Sequence, residues 1–325
     1  MKNIFYIETI YSLLIVLIMK PNLEENLYFF SDDFSQEIVN KFKNKIILKK
    51  SKKNIKLIRY YKVRKFLKGI LKENKEKLKG GNFFLQDHLT YSQFFLNNFE
   101  NKFFLIEDGV RNYTLKILEE ESNKKKKTFL YKYMNIIKKY YPAFGLSEKI
   151  QKIYLTGILP IPNLIESKVK IVNIENLWNN LLGGEQEKIL DIFNIKIEKI
   201  KNLNKLKNKI LLITQPLSED RVITEQEKIK VYREIIEKQN VRKIYIKAHP
   251  REKTNYKEVF KNFNIEVIEN TFPIELFLLL NIKFDKVITL FSTGALNFKG
   301  KAEVEFIGTE KYPKLYERFG KIEMK

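Results

Sequence analysis

The second half of the chain alternates apolar runs with segments of helical periodicity. Apolar runs typical of buried strands begin the stretches 208–220, 242–250, 264–270, 285–297 and 301–308. Segments with apolar residues at helical spacing lie between them, at 225–240 and 273–281. Strands that alternate with helices predict right-handed βαβ units and a mostly parallel sheet.

The first half is compatible with the same plan. A strand is predicted at 3–7, followed by a turn and an apolar helix from about Tyr11. Further short apolar runs lie at 43–50, 81–89, 101–114 and 152–163. The basic segment 53–80 has helical periodicity and is expected to pack one face, and 122–141 is a lysine cluster that leads into a helix-like stretch.

Together these patterns predict an α/β fold of two doubly wound Rossmann-type domains that face a central cleft. The proline-rich stretch in 152–163 marks the end of the first domain. We therefore expect an N-terminal domain at 1–165, a helical connector at 166–205 and a C-terminal domain at 206–325.

Composition narrows the class of protein. With 325 residues, 44% hydrophobic and 13% aromatic, the chain has enough apolar material for real cores, which argues against intrinsic disorder. It contains no cysteine, so disulfides and cysteine-ligated metal sites are excluded. Its two histidines argue against a histidine-rich metal site.

The formal net charge of +22 has two interpretations. Lysine, asparagine and isoleucine dominate throughout and arginines are few, as a general compositional bias would produce. A functional basic surface would instead favour nucleic acid, anionic lipid or a phosphorylated ligand. The chain shows no helix-turn-helix, zinc or RNA-recognition signature, so a nucleic-acid-binding protein is the more remote alternative.

The N-terminal stretch 1–20 has some features of a signal peptide. Its apolar run is interrupted by Glu8, Thr9 and Ser12, and no small-residue cleavage site follows. It also falls short of the length of a transmembrane helix. We expect a buried strand and helix here, and neither a signal peptide nor a membrane span.

Chemically capable residues follow four of the predicted strands. Parallel sheets bind ligands beyond the carboxyl ends of their strands. The residues at those ends are Glu107, Asp108 and Gly109; Thr214, Gln215, Glu219 and Asp220; Lys247, His249 and Pro250; and Ser292, Thr293 and Gly294.

Ser292, Thr293 and Gly294 allow two interpretations. Hydroxyls and backbone N–H groups at a strand-to-helix turn can bind phosphate oxygens. The commoner case is an ordinary N-cap with a turn glycine. Similarly, Glu107 and Asp108 form either a solvated acid pair or a general base whose proton affinity is raised by its acidic neighbour.

His249 follows a strand directly and precedes a proline. A capped turn would explain the pattern, but a rare imidazole at a strand end suits hydrogen bonding to a phosphate or acid catalysis. Pro250 would stiffen the turn. We favour the functional interpretation because loop residues on a rigid scaffold often form sites.

Several short motifs resemble those of bacterial sialyltransferases. They are IEDG at 106–109, KAHPRE at 247–252 and FSTG at 291–294. The motifs GNFFLQDHL, KIYLTGILPIP, LLITQPLSED and NTFPIEL are similar to those of glycosyltransferase family 52, the lipooligosaccharide sialyltransferases. The resemblance extends from the N-terminal strand to about residue 310.

This resemblance implies a GT-B fold, with an acceptor-side N-terminal domain and a CMP-donor-binding C-terminal domain. The donor would be CMP-sialic acid and the acceptor a terminal galactose of a glycolipid. Asp108 matches the acidic motif and would be the base, while Asp220 is the alternative base that the sequence does not exclude. His249 and Pro250 match the histidine-proline motif at the donor phosphate. The phosphate-binding hydroxyls would be Ser292 and Thr293, beside Gly294, and Glu275 would bind the ribose hydroxyls.

The expected reaction inverts the anomeric centre and needs no metal or other cofactor, because protein donors can stabilise a monophosphate leaving group. We expect a cytoplasmic homodimer with peripheral contact to the anionic inner face of the bacterial inner membrane, for which the lysine-rich stretch 43–80 is a candidate. Other transferases of GT-B fold remain alternatives: a polysialyltransferase, a glucosyltransferase of the same family or a CDP-polyol phosphotransferase.

Overall fold

The computed structural model describes most of the chain. The described residues are 2–20, 22–49, 65, 67–70, 72–74, 76, 78–127, 141–204, 208–239 and 242–322. They form two compact units, Met1–Ile192 and Phe193–Lys325, and each unit is described by itself. Most of the predicted basic helix at 53–80 and of the predicted helix at 122–141 lies outside the described residues.

The first unit is built on a seven-stranded sheet in the order β3-β2-β1-β4-β5-β6-β7. Every pairing in it is parallel. Its strands are β1 (Asn3–Ile7), β2 (Leu27–Ser31), β3 (Lys45–Leu48), β4 (Asn82–Leu85), β5 (Lys102–Ile106), β6 (Ile150–Leu155) and β7 (Val169–Ile171).

Helices cover the faces of this sheet. They are α1 (Ile10–Met19), α2 (Gln36–Val39), α3 (Thr90–Asn98), a 3-10 helix (Val110–Tyr113), α4 (Leu115–Lys127), α5 (Asn163–Glu166), α6 (Ile174–Asn179) and α7 (Gly183–Ile192). The predicted apolar helix from about Tyr11 is α1, which begins after an N-cap at Thr9 and is almost wholly buried. It packs against β1, α6 and α7, which bury its apolar side chains inside the first unit.

Aromatic side chains in register hold neighbouring strands of the first sheet together. Phe5 lies directly across from Tyr28 and Phe84, with ring centroids 5.3 and 5.0 Å apart. Phe84 in turn stacks on Phe104 of β5 at 4.9 Å. Such aromatic pairs add roughly 0.5–1.5 kcal/mol each beyond the area that they bury. This ladder fixes the register of β2, β1, β4 and β5, and hence the positions of the loops that follow them.

The second unit has a five-stranded parallel sheet in the order β10-β9-β8-β11-β12. Its strands are β8 (Lys209–Ile213), β9 (Lys243–Lys247), β10 (Ile265–Ile268), β11 (Lys286–Thr289) and β12 (Glu303–Phe306). Its helices are α8 (Ile197–Leu203), α9 (Glu225–Glu237), α10 (Tyr256–Val259), α11 (Glu275–Leu279), a 3-10 helix (Thr293–Phe298) and α12 (Pro313–Phe319).

The predicted α/β class with two Rossmann-like parallel sheets is confirmed. The division between the units falls after Ile192, within the predicted connector 166–205. The early part of that segment holds β7, which pairs with β6 and so belongs to the first sheet. The central cleft stays a prediction.

Two strands of the first sheet were missed by the sequence pattern. β2 is a fully buried run of aromatic residues, and β7 is a short edge strand of three residues with no buried position. A short apolar run is ambiguous between a strand and a buried helix, and a three-residue strand carries almost no periodicity. Among the described residues, no helix is both long and apolar enough to cross a membrane.

A buried carboxylate closes the turn that precedes β6. Asp87 is fully buried and accepts the backbone N–H groups of Phe144 (2.7 Å) and Gly145 (2.8 Å). Both turn residues have left-handed backbone, with φ of 59° and 88°. An added Cβ at Gly145 would lie 2.2 Å from Cδ1 of Ile153, so both conformation and space require glycine there.

Gly145→Ala is therefore expected to destabilise the first unit by about 1–3 kcal/mol. Urea denaturation followed by the fluorescence of Trp178 measures this, because the single tryptophan is buried in the first unit. Gly184→Ala is the matched control: it lies in α7 with open space around it and should gain about 0.5–1 kcal/mol. Equal stability of Gly145→Ala and the wild type would refute the strain assigned to this turn.

Candidate functional site

The first sheet changes its direction of winding between β1 and β4. In doubly wound sheets, ligands bind beyond the carboxyl ends of the strands at such a point. At this point the loop after β1 begins with Glu8 and the loop after β4 begins with Gln86. Glu107 follows β5, the strand next to β4. The predicted acid pair therefore lies at the edge of the sheet where a site is expected.

Glu107 is buried in a dense set of hydrogen-bond donors. Its Oε1 accepts from the hydroxyl of Tyr11 at 2.7 Å, and its Oε2 accepts from the hydroxyl of Tyr113 at 2.7 Å. The backbone N–H and the hydroxyl of Thr156 also donate to it. Burial raises the pKa of Glu107, and these hydrogen bonds oppose the rise. Glu107 thus joins the ends of β5 and β6 and is not accessible to a substrate.

Asp108 lies beside this network and is partly exposed. Its Oδ1 accepts from the hydroxyl of Thr9 at 3.0 Å, and its Oδ2 lies 4.0 Å from Nε2 of His88. Burial raises the pKa of Asp108 to about 6, although the Thr9 hydrogen bond and the charge of Arg111 oppose the rise. The sequence interpretation attributed such a shift to the acidic neighbour, but burial is the larger cause and the neighbouring acids contribute less.

His88 forms the opposite wall of a small concavity around Asp108. Its ring stacks on Phe144 with centroids 5.3 Å apart, and Gln86 and Arg111 line the same concavity. Burial lowers the pKa of His88 to about 4, helped by the charge of Arg111. The imidazole is therefore neutral at pH 7, and it can donate a hydrogen bond to a hydroxyl beside Asp108 or accept one from it.

The second sheet changes its direction of winding between β8 and β11. Thr214 follows β8, Ser292 lies three residues beyond the end of β11, and His249 follows the adjacent β9. Three of the four predicted strand-end groups are thus brought to one edge of this sheet. Polar side chains at these positions can reach a ligand that lies across the strand ends.

His249 sits in a turn that determines its tautomer. Its Nδ1 accepts the backbone N–H of Arg251 at 3.1 Å, so in the neutral ring the proton is on Nε2. Nε2 has no hydrogen-bond partner among the described residues. The neutral ring therefore presents one N–H donor that is available to a ligand.

The pKa of His249 is lowered to about 4. Burial is the largest cause, and the charges of Arg251 and Lys247 act in the same direction, while Asp220 and Glu219 oppose them. At neutral pH the ring is an uncharged hydrogen-bond donor in the ligand-free protein. An anionic phosphate beside Nε2 would raise its pKa again.

The turn after β11 does not use the Ser292 side chain as a helix cap. Ser292 precedes the 3-10 helix, but its hydroxyl makes no capping hydrogen bond. Instead, the backbone N–H of Ser292 donates to Oγ1 of Thr289 at 3.0 Å. The exposed Thr293 likewise has no side-chain partner in the described part of the chain. Little space surrounds Gly294, since an added Cβ there would lie 3.2 Å from Cγ2 of Ile274.

Glu275 begins α11 and is buried. Its Oε1 accepts from the side-chain amide of Asn297 at 3.0 Å. Its charge also acts on Lys247, a buried residue at the end of β9 whose Nζ lies 4.1 Å from the ring centre of Phe272. Burial lowers the pKa of Lys247 to about 7. Pro250, by contrast, is exposed in the turn after His249.

The second acid pair is engaged in ion pairs. Both oxygens of Asp220 accept from the guanidinium of Arg251, one of them at 3.0 Å, and both side chains are well exposed. Burial would raise the pKa of Glu219, but hydrogen bonds from the Lys253 backbone and from Lys228 outweigh it and lower that pKa to about 2. Glu219 therefore lacks the raised pKa of Asp108.

Comparison with known proteins shows the family of this chain. The family model for glycosyltransferase family 52 matches residues 14–309. The chain belongs to glycosyltransferase family 52. An uncharacterized protein of Haemophilus influenzae is 41% identical over 237 residues, which are 73% of this chain and 71% of that protein.

Solved structures share the fold of this glycosyltransferase. An α-2,3-sialyltransferase of Photobacterium phosphoreum is similar with a TM-score of 0.59 and 14% identity, over 94% of this chain and 89% of that one. A 2,6-sialyltransferase of Photobacterium sp. JT-ISH-224 has a TM-score of 0.64 at 14% identity, over 94% and 70%. The GT-B domain of a Photobacterium damselae sialyltransferase has a TM-score of 0.56 at 16% identity, over 94% and 90%. The predicted family and GT-B-like fold are confirmed.

Sequence reasoning missed several residues at the strand ends of the two sheets. His88 lay within a motif but was not singled out, although it is one of only two histidines and follows a strand. Glu252 and Lys228 were passed over, and Glu252 had a visible signal: an acid three residues after a cap position often accepts the N–H of the cap residue. Lys247 was named as a strand end without a role.

Within the described ranges, no group of three or more histidine or acidic side chains is arranged to hold a metal ion. The expectation of a metal-independent reaction stays a prediction.

Both histidines are expected to titrate near pH 4 instead of the ordinary 6.5. The folded state then binds fewer protons than the unfolded state between these values, so each histidine's stabilising contribution is lost as the pH falls from 6.5 to 4. Asp87 and Asp108, with their pKa raised to about 7 and 6, act in the opposite direction. The pH dependence of the free energy of unfolding would therefore report the sum of the histidine and aspartate contributions, which have opposite signs.

Imidazole ¹⁵N NMR measures the histidines directly, and two residues give a simple spectrum. The variants His88→Gln and His249→Gln assign the two signals. Titration of either ring near pH 6.5 would contradict its placement here.

Proposed function

We propose that this glycosyltransferase transfers sialic acid from CMP-sialic acid to a terminal galactose of lipooligosaccharide, with inversion at the anomeric carbon. The proposal rests on the donors gathered at the edge of the second sheet: the Nε2–H of His249 and the hydroxyl of Ser292, neither with a partner among the described residues. The fold shared with bacterial sialyltransferases supports the choice of donor.

The proposed role of these donors is to stabilise the departing phosphate. When the bond from the anomeric carbon to the phosphate oxygen breaks, its electron pair leaves with CMP. His249, Ser292 and Thr293 donate hydrogen bonds to the phosphate as its charge grows, beside Pro250 and the turn at Gly294. In the same proposal Glu275 accepts hydrogen bonds from the ribose hydroxyls. A monophosphate leaving group can be stabilised in this way without a metal ion.

Asp108 is the proposed general base. The galactose hydroxyl oxygen forms the new bond to the anomeric carbon, and its proton passes to the Asp108 carboxylate. With a pKa of about 6, Asp108 is mostly ionised at pH 7 yet is a stronger base than an ordinary aspartate. Thr9 fixes one oxygen of Asp108, and the neutral His88 lies beside the other.

Asp220 is the less suitable base. Both of its oxygens accept hydrogen bonds from Arg251, and a guanidinium partner stabilises the ionised form. Taking up a proton would require that ion pair to break.

The cellular setting is part of the same proposal. A lipid-linked acceptor lies at an anionic membrane surface, where each nearby lysine is worth roughly 1 kcal/mol. We propose a cytoplasmic homodimer that contacts the inner face of the inner membrane peripherally. Half of the lysine-rich stretch 43–80 lies outside the described residues, so this surface stays a prediction.

The direct test is incubation with CMP-sialic acid and lactose, with the product linkage determined by NMR. We expect sialyllactose from the wild type and at least about a hundredfold lower turnover from His249→Ala, the usual loss when one such donor is removed. Lys257→Ala, exposed on α10, should be as active as the wild type. Circular dichroism checks the fold of each variant.

Transfer from another nucleotide sugar but not from CMP-sialic acid would disprove the sialyltransferase. Undiminished turnover by His249→Ala would show that His249 does not take part in the reaction.

The two candidate bases can be separated by substitution and pH. We expect Asp108→Asn to lower kcat about 10²–10⁴-fold, the usual contribution of a general base. Asp220→Asn should stay within about tenfold of the wild type, since exposed ion pairs contribute little. The wild-type kcat/KM should rise with pH through about 6, as the Asp108 carboxyl loses its proton.

The opposite ranking of the two variants would identify Asp220 as the base. A flat kcat/KM between pH 5 and 7 would exclude Asp108 in the role assigned to it.

A further inference from the structure

The turn that carries His249 is closed by the side chain of Glu252. Oε1 of Glu252 accepts the backbone N–H of His249 at 2.7 Å, and the N–H of Glu252 donates to the carbonyl of His249 at 2.9 Å. Together with the Arg251 N–H on Nδ1, three hydrogen bonds define this turn. The same contact occurs in the capping box of a helix, where the side chain of a glutamate accepts the backbone N–H of the cap residue three positions earlier.

The Glu252 carboxylate is itself held from several sides. Its side chain is completely buried. Oε1 also accepts from the hydroxyl of Thr214 at 2.6 Å, and Oε2 accepts from the hydroxyl of Tyr256. The backbone N–H and the two hydroxyls converge on one carboxyl group, and these hydrogen bonds oppose the rise in its pKa that burial causes. The end of β8, the His249 turn and α10 are therefore joined at one point.

A buried lysine anchors the same region. Nζ of Lys228, also completely buried, bonds to Glu219 at 2.9 and 3.0 Å and lies 3.0 Å from Glu225. Its distance to Oε2 of Glu252 is longer, 3.9 Å. The short ion pairs of Lys228 thus hold the loop after β8 and the start of α9. Glu252 acts mainly through its hydrogen bonds, which place the His249 turn, and less through its ion pair with Lys228.

We propose that Glu252 is a positioning residue that fixes the His249 turn and thereby its tautomer and the direction of its Nε2–H. Only the identity of the ligand, the phosphate of CMP, depends on the proposed function. The tautomer and the direction of the ring follow from the hydrogen bonds alone. An unfixed turn would let Nδ1 lose its donor, and the proton would then exchange between the two nitrogens.

Three substitutions at Glu252 separate placement from charge. Glu252→Gln keeps the length and the accepting oxygen but loses the charge. Glu252→Asp keeps the charge but is one methylene shorter, and Glu252→Ala loses both. Glu258→Ala is the control, because Glu258 is exposed on α10 and pairs with the exposed Lys261 beyond the end of that helix.

The first readout is the ¹⁵N spectrum of the His249 imidazole, with His88 as the internal reference. Wild type and Glu252→Gln should show a single Nε2–H tautomer. In Glu252→Asp and Glu252→Ala the two nitrogens should give averaged shifts, while the His88 signal stays unchanged.

The second readout is CMP binding by calorimetry. We expect Glu252→Gln and Glu258→Ala to bind close to wild type, and Glu252→Asp and Glu252→Ala at least about tenfold more weakly, as for loss of a hydrogen bond to a charged group. If Glu252→Ala does not fold, the Gln and Asp variants still give opposite expectations.

A single Nε2–H tautomer together with wild-type CMP affinity in Glu252→Asp would overturn the proposal. So would weakened CMP binding by Glu252→Gln while Glu252→Asp binds as the wild type does, since charge would then be the cause. Failure of the wild type to bind CMP would instead refute the proposed function, and the NMR comparison would still test the positioning role.

Discussion

Every strand pair described in this chain is parallel, and this constraint determines where its chemistry can lie. Parallel sheets are covered by helices on both faces, so their strands are apolar along their length. Polar side chains are therefore displaced to the strand ends, and parallel strands all end at the same edge. The candidate groups of each unit meet at such an edge without any long-range coincidence in the sequence.

The two units stabilise their edges with similar hydrogen-bond networks. In the first, Glu107 accepts from two tyrosine hydroxyls, a threonine hydroxyl and a backbone N–H. In the second, Glu252 accepts from a tyrosine hydroxyl, a threonine hydroxyl and a backbone N–H. A buried carboxylate is costly unless its oxygens are satisfied, so each network is rigid once it forms. In both units the rigid network adjoins the proposed reacting residue, Asp108 or His249.

The sequence predicted the parallel sheets and the strand-end groups because both follow from local patterns: apolar runs, turn residues and their order. It failed where the deciding contact is made between distant segments. Lys228 was not singled out in the sequence, yet it is completely buried and pairs with Glu219 of the loop after β8. The stacking of His88 on Phe144 joins positions 56 residues apart, across a turn that Asp87 closes. Periodicity carries no information about such pairings.

Adjacent acids at one strand end illustrate how burial assigns different roles to similar residues. Glu107 and Asp108 follow β5 directly, and their side chains enter different environments. Glu107 enters the tyrosine network, where its four donors leave no oxygen for a substrate. Asp108 has one firm hydrogen bond, from Thr9, and keeps an oxygen toward His88. The burial that raises its pKa is incomplete, so the carboxylate is both more basic than usual and accessible. A general base needs both properties, and of this pair only Asp108 has them.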